Sequence, residues 1–151
     1  MGSEDAVNLE RASLAATAVL VIAMVTLLAR HALFANSPGP IAVQVAAGLL
    51  MLWARLTFGG RSFHAAANPT AGGVVTTGPY RFFRHPIYAA ILYFVWAGVL
   101  SHASVLNTLL AAAATAMVAV RIAAEERLLL TRYPEYASYA ARTKRVIPFL
   151  L

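Results

Sequence analysis

Apolar blocks long enough to cross a bilayer alternate along this chain with short polar punctuation. No charged residue occurs between Ala12 and Ala29, a run that predicts a first membrane helix over about 12–34. The cluster Asn36-Ser37-Pro38-Gly39-Pro40 reads as a turn. A second span follows over about 41–58, interrupted by Gln44 and Arg55, which predicts inward packing or an early end. Gly59-Gly60 closes it. Residues 59–85 form the longest polar connection, with turn signals at Asn68-Pro69, Gly72-Gly73 and Gly78-Pro79. A connection of this length in a small protein is more often functional than idle. A third span is expected over 86–101, a tight turn at Ser101-His102, and a fourth span over 103–124.

The fourth block is rich in alanine, with Thr108 and Thr115 along it. Small residues allow close helix approach in lipid, so spans three and four are expected to form a close antiparallel hairpin. Beyond Glu126 the pattern turns amphipathic and basic, with Arg127, Arg132, Arg142, Lys144 and Arg145. Tyr136, Tyr139 and Ala140 share one helical face there. This predicts an interfacial helix within 125–151. The expected fold is a single all-α integral membrane domain over 1–151, with about four transmembrane helices and a C-terminal amphipathic helix at the cytoplasmic face.

Composition agrees with that picture. Of 151 residues, 60% are hydrophobic and only 12% charged, against about a quarter charged in soluble domains; the mean hydropathy is +0.69. The opening segment is acid-rich and its apolar run exceeds a signal-peptide core, so the first block is expected to stay as a span. Cysteine is absent, which excludes disulfides, thiolate metal sites and cysteine nucleophiles. All six acids lie towards the ends, at Glu4, Asp5, Glu10, Glu125, Glu126 and Glu135, and every charge between Glu10 and Glu125 is arginine. The net charge of +6 is scattered at span ends without a basic run, so it reads as membrane anchoring and not as a nucleic-acid surface. Arg55, Arg61, Arg81 and Arg84 flank the central connection, whereas the outer turns hold Arg30, His31 and His102. The positive-inside rule then places both termini and the central loop in the cytoplasm.

Two segments carry more chemistry than packing requires. In Gly78-Pro79-Tyr80-Arg81-Phe82-Phe83-Arg84-His85-Pro86-Ile87-Tyr88, Pro86 suits a first helical position. Arg84 and His85 then fall at a helix N-terminus, where backbone N–H groups favour an anion. The bland alternative is a snorkelling arginine, a capping histidine and anchoring tyrosines. The second segment is Arg121-Ile122-Ala123-Ala124-Glu125-Glu126-Arg127-Leu128. Adjacent acids at the edge of a span are costly unless paired or wet. Arg121 can pair with Glu125 at i, i+4, which leaves Glu126 unexplained. If the two spans are neighbours, the segments meet at one level and suit a ligand with an anionic and a cationic part. Metal-ligand spacing, phosphate loops, dinucleotide glycines and serine elbows are absent from the sequence.

At these residues the chain resembles the isoprenylcysteine carboxyl methyltransferase family, whose wider group includes membrane phospholipid methyltransferases. The resemblance rests on Gly78–Arg81, Arg84-His85-Pro86 with Tyr88, Glu125-Glu126 with Leu129, Tyr133-Pro134-Glu135-Tyr136 and Ile147-Pro148, in order over about 68–149. The family usually has glycine where this chain has Ala90, the smallest possible departure. The resemblance implies S-adenosylmethionine as methyl donor. His85, Tyr88, Glu125 and Glu126 would hold its methionine part, Tyr80, Pro86 and Ile87 its adenosine side, and Arg84 an anionic group, with Arg84 and Glu126 as the catalytic pair. The acceptor would be a lipophilic small molecule or lipid reached from the membrane: an isoprenylcysteine-like carboxylate or a lipid head group. A nicotinamide-dependent membrane reductase and a non-catalytic membrane interaction protein are the competing readings. Oligomeric state is not legible.

Overall fold

The structure, a computed structural model, describes residues 3–59 and 73–146. Arg61, His64, Asn68-Pro69 and the Ile147-Pro148 motif lie outside them. All regular elements among the described residues are helical: α1 (Ser3–Ala29), α2 (Pro38–Phe58), a 3₁₀ turn (Gly78–Arg81), α3 (Pro86–Ser101), α4 (Val105–Arg132) and α5 (Tyr136–Arg142). Three stretches are long and apolar enough to cross a membrane: Val7–Ala29 within α1, all of α2, and α4. Apolar α3 has 16 residues, about 24 Å at 1.5 Å per residue, shorter than a hydrocarbon core of about 30 Å. This is an all-helical membrane protein.

Local chemistry sets the helix ends. α1 stops at Ala29, short of residue 34, because His31 adopts a left-handed φ of 54°. The Ala32 N–H then turns back to the Leu27 carbonyl at 2.9 Å. Pro38 starts α2, where a missing N–H costs nothing. Ser104 caps α4 by accepting from the Asn107 N–H at 3.2 Å, a contact that contributes about 1 kcal/mol. The fourth helix therefore starts at Val105 and continues past Ala124 to Arg132, beyond the apolar block that marks it in the sequence.

Two main packing seams join α1 to α4, antiparallel, and α2 to α3. Ser13, Ala16, Leu20, Ala23 and Leu27 bury one stripe of α1 at spacings of three and four, and Ala111, Ala114, Val118 and Ile122 bury the matching stripe of α4. The alanines of α4 thus serve close approach, but towards α1 more than towards α3. The reason is geometric: α3 is occupied on its other side by α2, and α3 meets α4 more lightly. Two apolar clusters tie the elements together. Tyr88 joins Leu20, Ala23, Ala114, Val118 and Ile122; Leu27, Leu33, Val95, Val99 and Ala111 form the second.

Gln44, the polar residue within the second span, points inward as its position suggests. Its amide donates to the Leu33 and Phe94 carbonyls at 2.8 and 3.0 Å and accepts from the Ala35 N–H at 2.9 Å. Gly98 lies under the same turn, where an added Cβ would stand 2.2 Å from the Leu33 carbonyl oxygen. The outward faces of α1 and α2, including Ile22, Val25, Leu49 and Leu56, remain exposed and apolar, as lipid-facing surfaces do.

Candidate functional site

The polar chemistry gathers at one end of the bundle, where α3 begins, α4 nears its C-terminal turns and α5 folds back. The backbone makes this possible. Phe83 and Lys144 form an isolated parallel bridge. The Arg84 and His85 N–H groups donate to the Lys144 and Arg145 carbonyls at 2.7 and 3.1 Å, and the Lys144 N–H donates to the Phe82 carbonyl at 3.2 Å. The segment 143–146 thus straps across the start of α3. It takes two of the N–H groups that the sequence offered to an anion, so side chains carry the recognition chemistry. Tyr93 adds a hydrogen bond of 2.6 Å from its hydroxyl to the Val146 carbonyl.

Glu126 stands at the centre. Its Oε1 accepts from Arg84 Nε at 2.6 Å and meets His85 Nε2 at 3.2 Å, while its Oε2 accepts from Arg145 Nη2 at 2.9 Å. Charge-assisted hydrogen bonds to a carboxylate enclosed this way offset the cost of its burial. Arg145 is 55% exposed at its side chain, and its bonds to Glu126 hold its own pKa above the usual value. Arg84 also donates through Nη1 to the Ala140 carbonyl at 3.1 Å and to the Thr143 carbonyl.

Glu125, one residue earlier, faces a different set. Tyr88 donates to its Oε1, Arg121 Nη2 lies 3.5 Å from the same oxygen, and His85 Nδ1 is 3.7 Å from its Oε2. His85, buried, therefore has a glutamate at each ring nitrogen. The side chain of Glu125 is 24% exposed against 12% for Glu126, which makes it the more accessible acceptor.

Tyrosines close the rim. Tyr80 is buried and its ring lies 5.4 Å from that of Phe58. Its carbonyl accepts from the Tyr139 hydroxyl at 2.7 Å. Burial raises the phenol pKa of Tyr80 and Tyr136, and pushes that of Tyr139 up to about 12. All three therefore stay protonated and can donate. The Tyr136 hydroxyl is buried and has no hydrogen-bond partner among the described residues. Such groups are rare and costly.

The residues that the sequence assigns to the site lie in this cluster or next to it along the chain. Arg84, His85, Tyr88, Glu125 and Glu126 are linked directly; Pro86 is fully buried as the first residue of α3, Ile87 is half-buried, and Tyr80 is reached through Tyr139. Ala90 is buried within α3, 1% exposed. Sequence reading passed over Arg121, Arg145, Tyr136 and Tyr139 as site members. Arg121 had a signal of its own: it is the one charge between Arg84 and Glu125.

A family model described as phospholipid methyltransferase matches residues 41–136. The chain belongs to that family. The match runs from α2 through the first residue of α5, so it contains most of the site, while Thr143 and Arg145 lie beyond it. Two relatives of this chain bear names from metal resistance. They are the cobalt-zinc-cadmium resistance protein CzcN of Cupriavidus metallidurans, 35% identical over 100 residues, and the nickel-cobalt-cadmium resistance protein NccN of Alcaligenes xylosoxydans xylosoxydans, 34% identical over 100 residues. Each alignment covers 66% of this chain and 43% of the relative, so the chain spans less than half the length of these curated relatives. No solved structure matches it.

Proposed function

We propose that this family member transfers a methyl group from S-adenosylmethionine to a lipophilic acceptor held in the membrane, at the cytoplasmic end of α3 and α4. One observation carries the reading: the loop before α3, the first turn of α3, the C-terminal part of α4 and the segment after α5 place two glutamates, three arginines, a histidine and a tyrosine in one connected cluster.

The donor set fits the cofactor. An amino-acid moiety needs a carboxylate for its ammonium, and Glu125 is partly open. It needs cationic or hydroxyl donors for its own carboxylate, which the guanidiniums and the unpartnered Tyr136 hydroxyl can supply. Of the residues that the resemblance assigns to the adenosine side, half-buried Ile87 offers apolar surface, while Tyr80 and Pro86 are buried. When bound, S-adenosylmethionine supplies an activated methyl on a sulfonium.

The residues of the chain hold and orient. Arg84, His85 and Arg145 fix Glu126, and Arg84 and Glu126 form the pair we assign to the catalytic centre. Orientation and exclusion of water are the protein's main contributions to such a displacement, and a covalent nucleophile is not required. Lipid-facing helices around the site suit an acceptor with an apolar tail, either an isoprenylcysteine-like carboxylate or a lipid head group. The names of the relatives suggest a setting in metal resistance. The described residues contain no cluster of three His, Asp or Glu side chains able to hold a metal.

The test is ligand binding by the purified protein in lipid nanodiscs. Saturable binding of S-adenosylmethionine, with transfer of its labelled methyl into an extractable membrane compound, is the expected result. Binding of NADPH in its place would make the chain a reductase. Binding of neither would leave a non-catalytic membrane protein.

A further inference from the structure

Arg121 is buried within α4, in a part of the bundle where an isolated charge would be costly. Its expected partner is Glu125, one turn on, yet that pair is stretched to 3.5 Å. A shorter path runs through a third residue. Arg121 Nε donates to the Tyr88 hydroxyl at 2.8 Å, and Tyr88 donates to Glu125 Oε1. The direction of each bond is forced. A guanidinium has only donors, so the phenol oxygen accepts and its proton must turn to Glu125.

The same logic holds on the other side. Arg121 Nη1 donates to the Thr17 hydroxyl and to the Ser13 carbonyl at 3.3 Å, and Thr17 passes its own proton to that carbonyl at 2.8 Å. The Arg121 guanidinium also lies 5.5 Å from the centre of the Tyr88 ring. Helices α1, α3 and α4 thus meet on one guanidinium. The consequence falls on Glu125. Its Oε1 accepts from Tyr88 and lies 3.5 Å from Arg121, while among the described residues Oε2 faces only His85 Nδ1, at 3.7 Å, beyond hydrogen-bond length.

We infer that Arg121 is a positioning residue: acting through Tyr88 and braced by Thr17 of α1, it fixes the Glu125 carboxylate so that Oε2 is presented to a cationic ligand group. The ligand part of this inference rests on the methyl-donor reading given above; the positioning part does not. It gives α1, which lies outside the matched family region, a defined role in the site. A stapling role alone, in which Arg121 merely joins helices, would leave the carboxylate geometry of Glu125 unaffected by the choice of cation.

Arg121→Lys separates these ideas. Lysine keeps the charge but is a point donor, unable to serve Tyr88 and Thr17 together in the planar fork of arginine. Thr17→Val removes the brace while touching neither Tyr88 nor Glu125. The first measurement needs no ligand: the Glu125 side-chain carboxyl signal in ¹³C NMR of the nanodisc protein, assigned by its loss in Glu125→Gln. Arg121→Lys is expected to shift and broaden it, and Thr17→Val to do so less. An unmoved signal in a folded Arg121→Lys protein overturns the positioning role. The second measurement is S-adenosylmethionine affinity. At least tenfold weaker binding by Arg121→Lys is expected, with Arg121→Lys and Glu125→Gln non-additive. Additive losses overturn the route through Glu125. Absence of binding by the parent protein overturns the ligand part and the methyl-donor reading, leaving the NMR result to decide the positioning.

Discussion

Arg84 and Glu126 lie 42 residues apart and meet at 2.6 Å, and this contact organises more than a pair of charges. The same guanidinium reaches the Ala140 and Thr143 carbonyls at the C-terminal end of α5. Those carbonyls are acceptors that a helix end leaves without intrahelical donors. Arg84 therefore joins the start of α3, the site face of α4 and the returning C-terminal segment. A planar fork with several donors suits that task; a single ammonium does not.

Arg84→Lys is accordingly expected to reduce turnover at least tenfold while changing S-adenosylmethionine affinity little. Hydrogen exchange of the backbone over residues 136–146 should rise in the same variant, because α5 and the strap lose their side-chain tether. If Arg84 merely anchored the protein to head groups, lysine would snorkel equally well. Turnover and exchange matching the parent would support that simpler role.

Glu126→Gln tests the centre of the cluster. The change keeps volume but removes the charge facing Arg84, His85 and Arg145. Loss of a charge-assisted hydrogen bond costs about 1.5–3 kcal/mol, so cofactor affinity should fall more than tenfold. Calorimetry in nanodiscs reads it. Affinity equal to that of the parent would confine Glu126 to holding the cations together.

The helical membrane architecture was legible because apolar blocks, proline-glycine turns and end-placed charges each report on local chemistry. The Arg84-His85-Pro86 and Glu125-Glu126 segments could be brought together on paper, since two spans joined by a short turn put them at one level. Other features depended on partners far away in sequence. The alanines of α4 announce close packing but do not say against which helix, and the answer was α1. Arg84 and His85 have N–H groups suited to an anion, yet a strand-like segment 60 residues later uses them. Arg121 looked settled by Glu125 at i+4, and only the fold brings Tyr88 and Thr17 close enough to change that reading.

Packing below the α1–α2 turn gives a stability prediction. A side chain at Gly98 would press on the Leu33 backbone, whereas Gly48, on the exposed face of α2, has nothing within 4 Å of an added Cβ. Gly98→Ala should destabilise markedly, by at least the 1–3 kcal/mol or so typical of overpacking. Gly48→Ala should be neutral or stabilise by about 0.5–1 kcal/mol, since alanine restricts the unfolded chain and favours helix. Thermal unfolding in one detergent compares them, and a tolerated Gly98→Ala would show that the turn can move away.

Gln44 offers a related test without steric pressure. Gln44→Leu keeps most of the volume but strands the Leu33 and Phe94 carbonyls and the Ala35 N–H. A buried polar group left without its partner costs about 1–3 kcal/mol, so the variant should melt below the parent. Gln44→Glu should be worse, because a carboxylate cannot donate to two carbonyls. Equal melting of all three proteins would mean that this amide contributes nothing net to holding α2 beneath the turn.

Orientation in the membrane is the remaining question, and the placement of charge argues it. Arg55, Arg81, Arg84, Arg121, Arg127, Arg132, Arg142, Lys144 and Arg145 all belong to the site end of the bundle, while Arg30 is the one arginine at the opposite end among the described residues. An excess of arginine and lysine marks the cytoplasmic side, so the site is proposed to face the cytoplasm, where S-adenosylmethionine would be available to it. The Ser37 and Ser101 hydroxyls, 3.3 Å apart at the far end, would then face outward, and exposed Ser138 on α5 would face inward. The chain has no cysteine, so single Ser37→Cys and Ser138→Cys variants give unambiguous labels. An impermeant maleimide applied to intact cells should modify the first and spare the second until the membrane is opened. The reverse pattern would put the cluster on the outer face, away from any cytoplasmic methyl donor, and would count against methyl transfer as strongly as against the topology.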